Sequence, residues 1–385
     1  MRKKITAGCL ATALLLSGCE GMFAPVGFVM TQEEEKEELQ TVEVEYTAPA
    51  IAEEQQEVPL ADLHPYDFTL TFAGDVNLAE NWNTMEYYRQ QDSGIYDCID
   101  PALIQMMQDA DLMCLNMEFC LSSVGSPMEG KAYTFRADPY RVQILNELSV
   151  DLVNLANNHV YDYGEEAFLD MLSLLKGFAL PYVGAGEDAK EAEAPYYIEL
   201  DGKKIAIIAA TRAEKYILTP EATESSPGVF RCYDRTRLLE VVQEADEDAD
   251  FVIAYIHWGT EYSEVLEEAQ TEGARELVEA GADAVLGAHP HCLQGAEFID
   301  GVPVLYSLGN YWFNEKALDS VLVKLHFYGN DEEQYLDTIL VPARQENHYT
   351  RLLTEPEEVQ GWNDHLIQMS PGQVQIDEAG RLVAW

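Results

Sequence analysis

Basic residues are scarce: 23 Lys and Arg stand against 69 Asp and Glu, a formal net charge of −46 over 385 residues. Nucleic-acid affinity rests on a cationic surface that releases counterions from phosphates, so this deficit excludes a nucleic-acid partner. It equally excludes docking on an anionic bilayer by charge, which leaves an apolar or covalent anchor as the route to a membrane. Cysteine is sparse, seven in all, and a chain this long needs no disulfide staples to build a core. Long apolar runs are missing too: the N-terminal one, Ile5 to Leu16, is about a dozen residues and too short to span a bilayer. What is present is core-forming material. Apolar residues make up 47% and aromatics 10%, so the chain folds, as one large or two small domains.

Arg2, Lys3 and Lys4 before the short apolar run form the positive and hydrophobic regions of a signal peptide, residues 1–18. Its end, Leu16-Ser17-Gly18-Cys19, resembles the bacterial lipobox, in which the cysteine is lipidated; the alternative is a secretory signal with an incidental Cys19. Lipidation places the protein on the extracytoplasmic face of the cell membrane, held by acyl chains. Residues 19–65 read as an acidic tether, because ten glutamates between Thr31 and Pro59 repel one another and large apolar side chains are few.

The folded body begins near Tyr66 with the alternating Phe68-Thr-Leu-Thr-Phe72 running into Ala73-Gly74-Asp75. Apolar runs at 112–117, 152–156, 205–210, 251–256, 284–287 and 302–308 then alternate with helical patterns at 101–110, 139–148, 165–175, 235–245 and 267–280. This is an α/β alternation, and the hairpin signal at 196–205 makes the sheet mixed rather than purely parallel. A last hairpin turns at Glu378 to Gly380. Residues 66–330 form the main domain, and 331–385 an extension packed on it.

Polar residues follow these runs, at the strand ends where open α/β sheets place their sites. Asp75 follows the first, Asn116 and Glu118 the second, Asn157, Asn158 and His159 the third, with Asp162 close behind. His257 and Glu261 follow a later strand, then His289-Pro-His291, and Asn310 in Ser307-Leu-Gly-Asn310. Each alone fits an ordinary turn or a satisfied core residue. Together, two carboxylates, a carboxamide and four of the eight histidines at one sheet edge require a cation, since crowded carboxylates otherwise repel. Mixed oxygen and nitrogen donors suit Mn, Fe or Zn.

The same series, with Tyr133-Thr-Phe-Arg-Ala-Asp-Pro139, resembles the CapA capsule-synthesis family over about residues 67–315. That family is associated with poly-γ-glutamate and sits in the calcineurin-like metallophosphoesterase superfamily. The resemblance implies an α/β/β/α sandwich, two mixed sheets flanked by helices, with two divalent metals at one edge. Asp75, Glu118 and His291 would hold the first metal, and Glu118, Asn158, His257 and His289 the second. His159 would protonate a leaving oxygen, oriented by Asp162. Two departures stand out: Asp75 is followed by Val76-Asn77 where the superfamily has Asp-x-His, and one residue is inserted in Gly287-Ala-His-Pro-His. Asn77 or Glu80 are the candidates to replace the missing ligand.

The functional expectation is a membrane-anchored protein of capsule or poly-γ-glutamate synthesis or export, working beside membrane capsule-synthesis proteins. A surface metal-dependent phosphoesterase without a capsule role is the alternative, and a polymer-binding module with a structural metal a third. An anionic polymer needs local positive charge, for which Arg136 and Arg212 are the foremost candidates, with Glu261 and Asn310 as further substrate contacts. After Cys19 five cysteines remain, an odd number in an exported chain, so at least one thiol is free; Cys292, beside His291, is either a soft ligand or a buried thiol.

Overall fold

The computed structural model describes residues 65–214, 218–330 and 333–384. The signal peptide, Cys19 and the tether lie outside the described residues. No helix among the described residues is long and apolar enough to cross a membrane.

The alternating segment at the start of the body becomes β1 (Tyr66–Val76), the strand around which the first sheet is laid. β1 pairs in parallel with β2 (Leu112–Met117), which pairs with β3 (Leu152–Asn154), then β4 (Tyr182–Val183). The second sheet holds the hairpin β5 (Tyr196–Leu200) and β6 (Lys203–Thr211), then β7 (Phe251–His257), β8 (Ala284–Ala288) and the pair β9 (Ala296–Ile299) and β10 (Val302–Leu305). Its order is β9-β10-β8-β7-β6-β5, parallel from β6 to β10 and antiparallel at both edges.

The sheets pack face to face. Phe68, Leu70 and Phe72 of β1 meet Ile207, Ile253, Tyr255 and Leu286 in one buried core. Tyr255 joins the layers, its ring edge-on to Phe72 at 5.9 Å and its hydroxyl donating to the Ala73 carbonyl at 2.7 Å. The other face of the first sheet is covered by α1 (Pro101–Gln108), α2 (Val142–Glu147) and α3 (Gly164–Gly177), through Leu103, Leu145 and Phe168 among others. α4 (Thr236–Asp246) and α5 (Glu268–Glu279) cover the second through Leu238, Val242 and Leu277. Their apolar residues recur at helical spacing, which is why one stripe of each faces a sheet. The result is the α/β/β/α sandwich.

Two segments depart from the sequence pattern. The expected strand at 302–308 ends at Leu305, and after Gly309 (φ +69°) the chain enters the first sheet as β11 (Asn310–Trp312), parallel to the end of β1. A Cβ on Gly74 would lie 2.0 Å from the Gly309 carbonyl oxygen, so glycine is needed where these backbones touch. Next, β12 (Leu318–Gly329) and β13 (Gln334–Glu346) form a long hairpin, with β12 antiparallel to β1, and β14 (Tyr349–Leu352) closes that edge. Thus the segment beyond residue 330 supplies strands of the first sheet itself, and then α6 (Pro356–Met369), whose buried Trp362 donates to the Ser320 carbonyl at 3.1 Å. Their half-exposed alternation mixes charged and apolar residues, which hides it from a search for apolar runs.

All five described cysteines are unpaired and buried, Cys292 included. Burial pushes the Cys98, Cys232 and Cys292 thiols up to about 12.

The inter-sheet core predicts unequal effects for its two aromatic partners. Phe72→Ala, which opens a cavity between the layers, should lower stability by ~3–5 kcal/mol, whereas Tyr255→Phe, which removes one neutral hydrogen bond, should lower it by ~1 kcal/mol. Urea unfolding of both variants checks the order.

Candidate metal centre

Parallel strands all end at the same edge, so residues scattered over more than two hundred positions meet there. In-register pairing puts Asp75 beside Asn116 on one side and Asn310 on the other. From the second sheet, β7 ends at His257 and β8 leads into His289 and His291. Both latter histidines have left-handed backbones, φ +98° and +58°, in the turn that follows β8.

Two ligand groups result: Asp75, Glu118 and His291, and Glu118, His257 and His289. Within each, the donor atoms lie within 4.8 Å of one another, and Glu118 belongs to both. Glu118 Oε1 is 3.7 Å from His257 Nε2 and 3.8 Å from His291 Nε2. Asn158 Oδ1 is 2.8 Å from His257 Nε2, which brings it to the second group. Glu118 Oε1 and His289 Nδ1 are buried and have no hydrogen-bond partner, as ligand atoms awaiting a cation should be. These donors fit divalent metal.

The surroundings fix the ligands. Asn116 Nδ2 donates to Asp75 Oδ1 at 2.8 Å and to Glu118 Oε2 at 3.2 Å, holding both carboxylates. His291 Nδ1 lies 2.9 Å from Asn310 Oδ1 and 3.1 Å from Asp75 Oδ2. Burial, with Asp75 alongside, pushes the Glu118 carboxyl well above the ordinary range. Burial first, then neighbouring histidines, holds His257 well below its ordinary value and lowers His289 to about 3. Both imidazoles are therefore held neutral, the form that ligates a metal.

His159 stands beside this cluster. Its Nδ1 is 2.7 Å from Asp162 Oδ2 and its Nε2 is 4.0 Å from Glu118 Oε1. Asp162 also accepts from the Phe135 backbone at 2.6 Å and pairs with Lys131 at 2.5 Å. Burial lowers the His159 pKa, against the pull of Asp162. Lys131, whose Nζ also donates to the Asn158 carbonyl, carries no motif that sequence reasoning could have used; its one signal is proximity to the Tyr133–Pro139 segment.

A cavity of about 300 Å3 opens over the cluster. His159 and His291 line it, and the tilted rings of Phe135 and Phe313 lie against them, with centroids 4.4 Å away in each pair. Trp82, Tyr133 and Tyr262 widen the aromatic wall, and Glu261, Glu315 and Lys316 line it as well. Of the expected substrate contacts only Glu261 lines it. Arg136 donates to the Val124 and Gly125 carbonyls, Arg212 pairs with Glu267 at 2.9 Å, and Asn310 is fully buried against His291. Neither suggested replacement for the missing ligand is available: Glu80 pairs with Arg89 and Arg141, and Asn77 Oδ1 accepts from the Ala79 backbone.

A sandwich of two mixed sheets between helices, with a shared carboxylate linking two groups of candidate ligands at the strand ends, defines an α/β protein with a candidate metal centre. Within that class, the chain belongs to the bacterial capsule synthesis protein PGA_cap family, whose pattern matches residues 69–315. It is 33% identical over 195 residues to the capsule biosynthesis protein CapA of Bacillus anthracis, covering 49% of this chain and 47% of that protein. It thus spans about half of that relative's length. With the PGA biosynthesis protein CapA of Bacillus subtilis it shares 28% identity over 265 residues, 68% of each chain. A solved structure of a putative 5'-nucleotidase from Staphylococcus aureus aligns at 16% identity and a TM-score of 0.45, covering 78% of this chain and 58% of that one.

Glu118 generates a pH prediction. A carboxyl raised in the native state makes that state bind more protons than the unfolded chain, so its contribution to stability falls as pH climbs from the ordinary carboxylate value of 4.5 through the raised one. The buried histidines, lowered in the native state, act oppositely and only on the acid side of 6.5. Chelator-treated wild type should therefore lose the Glu118 contribution as pH climbs above its ordinary carboxylate range, and Glu118→Gln should flatten that loss while abolishing metal uptake. Urea unfolding across pH reads the difference; equal slopes would clear Glu118 of the effect.

Proposed function

We propose that this chain is a lipid-anchored, metal-dependent protein of capsule polymer assembly, acting on poly-γ-glutamate or a like anionic polymer outside the cell membrane. The observation that carries the proposal is the pair of ligand groups sharing Glu118 beneath an open cavity. Membership of the capsule synthesis family supports the polymer, and the Leu16-Ser17-Gly18-Cys19 sequence supports the anchor. Membrane proteins of the same assembly are the natural partners.

Asp75, Glu118 and His291 would hold one divalent cation, and Glu118, Asn158, His257 and His289 a second, with Mn, Fe or Zn suited to these donors. Such cations supply Lewis acidity and lower the pKa of water toward neutrality. The protein's own part is proton traffic and positioning. Asp162 fixes the His159 ring through Nδ1, which leaves Nε2 facing the cavity. In the neutral tautomer with the proton on Nδ1, Nε2 takes up a proton from the attacking water and returns it to the departing atom, the oxygen of a phosphoester or the nitrogen of a γ-glutamyl amide. Asn116 and Asn310 keep Asp75 and His291 oriented, and the aromatic wall narrows solvent access to the bond being cut.

Metal content of the purified protein tests this, wild type beside His257→Ala and His289→Ala. Wild type should hold about two cations per chain and each variant fewer, the bound donors being the protein's main source of affinity; less than one in wild type would sink the proposal. His159→Gln should keep the metal and lose roughly a hundredfold or more in turnover of a chromogenic phosphodiester or of the polymer. Unimpaired turnover would remove His159 from the chemistry, and turnover of the phosphodiester with none of the polymer would favour a phosphoesterase without a capsule role. In cells, Cys19→Ser should move the protein from the membrane to the soluble fraction, followed by fractionation and immunoblotting.

A further inference from the structure

The cavity over the centre is poor in positive charge. Among the described residues lining it, Lys316 is the one lysine or arginine, exposed at the mouth with Nζ 3.4 Å from the centroid of the Tyr262 ring. Glu261 and Glu315 are exposed at the same mouth. Arg136 and Arg212 are engaged elsewhere, on loop carbonyls and on Glu267. A polyanion lying across a surface needs a track of cations, since each like charge brought up to a carboxylate is repelled. No such track crosses this mouth among the described residues, and about 300 Å3 is at the small end of ligand cavities.

An interior segment of a polymer must cross the mouth twice, passing Glu261 and Glu315 with a carboxylate on every unit. A chain end enters once, and the remainder leaves directly into solvent. We propose that the site takes the free end of an anionic chain, one terminal unit deep, with Lys316 binding that unit's carboxylate and the rim acids rejecting the chain's interior. This deepens the polymer function proposed above and rests on it. Lys316 is then the residue that sets specificity for ends, and the aromatic wall of Phe135 and Phe313 packs the methylene part of the unit. The site therefore engages chains at their ends and not along their interior.

The test is calorimetric titration of the full-length, metal-loaded protein with γ-linked glutamyl dimer, tetramer and long polymer, and with long polymer blocked at both ends. Expressed per chain end, the dissociation constant should agree within about twofold across lengths, because one end fills one site and no avidity accrues. Blocking the ends should abolish binding. Lys316→Gln should weaken binding roughly tenfold, with Lys316→Arg restoring most of it and metal content unchanged in both, as loss and return of a charge-assisted bond require. Affinity that climbs with length, or that survives blocking, would overturn the proposal while leaving the polymer function standing. Binding at no length would overturn the polymer function and the proposal together.

Discussion

A buried carboxylate shared by two groups of ligands is the constraint around which this molecule is arranged. Glu118 lies with Asp75 and four histidines where water cannot screen them, and burial pushes its carboxyl upward while it keeps His257 and His289 neutral. Such a cluster is unfavourable for folding by itself and becomes favourable with divalent cations between its members. The surrounding structure therefore opposes relaxation. Asn116 bonds both carboxylates, Asn310 bonds His291, and left-handed backbones hold His289 and His291 in the turn. Stability is given up locally for a site that stays assembled, and the large core between the sheets offsets the loss.

The two sheets contribute in different ways. The first supplies carboxylates and carboxamides from β1, β2 and the loop after β3; the second supplies imidazoles from the ends of β7 and β8. The chain returns from the second sheet to the first in the passage from β10 to β11, where Gly309 lets it leave one sheet and lie against Gly74 in the other. That crossing carries Asn310 to His291, and it brings Phe313 and Lys316 over the centre. Packing, ligand support and substrate access thus depend on one short segment.

Electrostatics divide the surface from the site. With 69 acidic residues in the chain, most arginines are drawn into pairs with carboxylates or onto carbonyls, as Arg212 is with Glu267 and Arg136 with the Val124–Gly125 turn. Among its described residues the protein therefore lacks a basic groove at the cavity. Its positive charge is concentrated in whatever the ligand cluster binds and in Lys316, which limits how much of a polyanion it can engage at once.

Much was legible from the residues alone. Apolar runs and helical periods located the parallel strands and their covering helices, because each such element buries a face that its own pattern records. The ligand residues were legible as well: polar residues at successive strand ends are conspicuous against apolar runs, and parallel strands necessarily bring their ends to one edge. Less legible were β12 and β13, whose alternation is blurred by charged residues on a half-exposed hairpin, and the splitting of 302–308 between two sheets, which depends on a glycine contact far away in sequence. The sequence by itself determined the α/β layering and which side chains could bind metal, since periodicity and donor chemistry are local properties. Only the tertiary structure decided that Asn310 supports His291 instead of facing substrate, and that Lys316 rather than Arg136 or Arg212 stands at the mouth. Those outcomes depend on distances between segments far apart in the chain, and no local pattern encodes them.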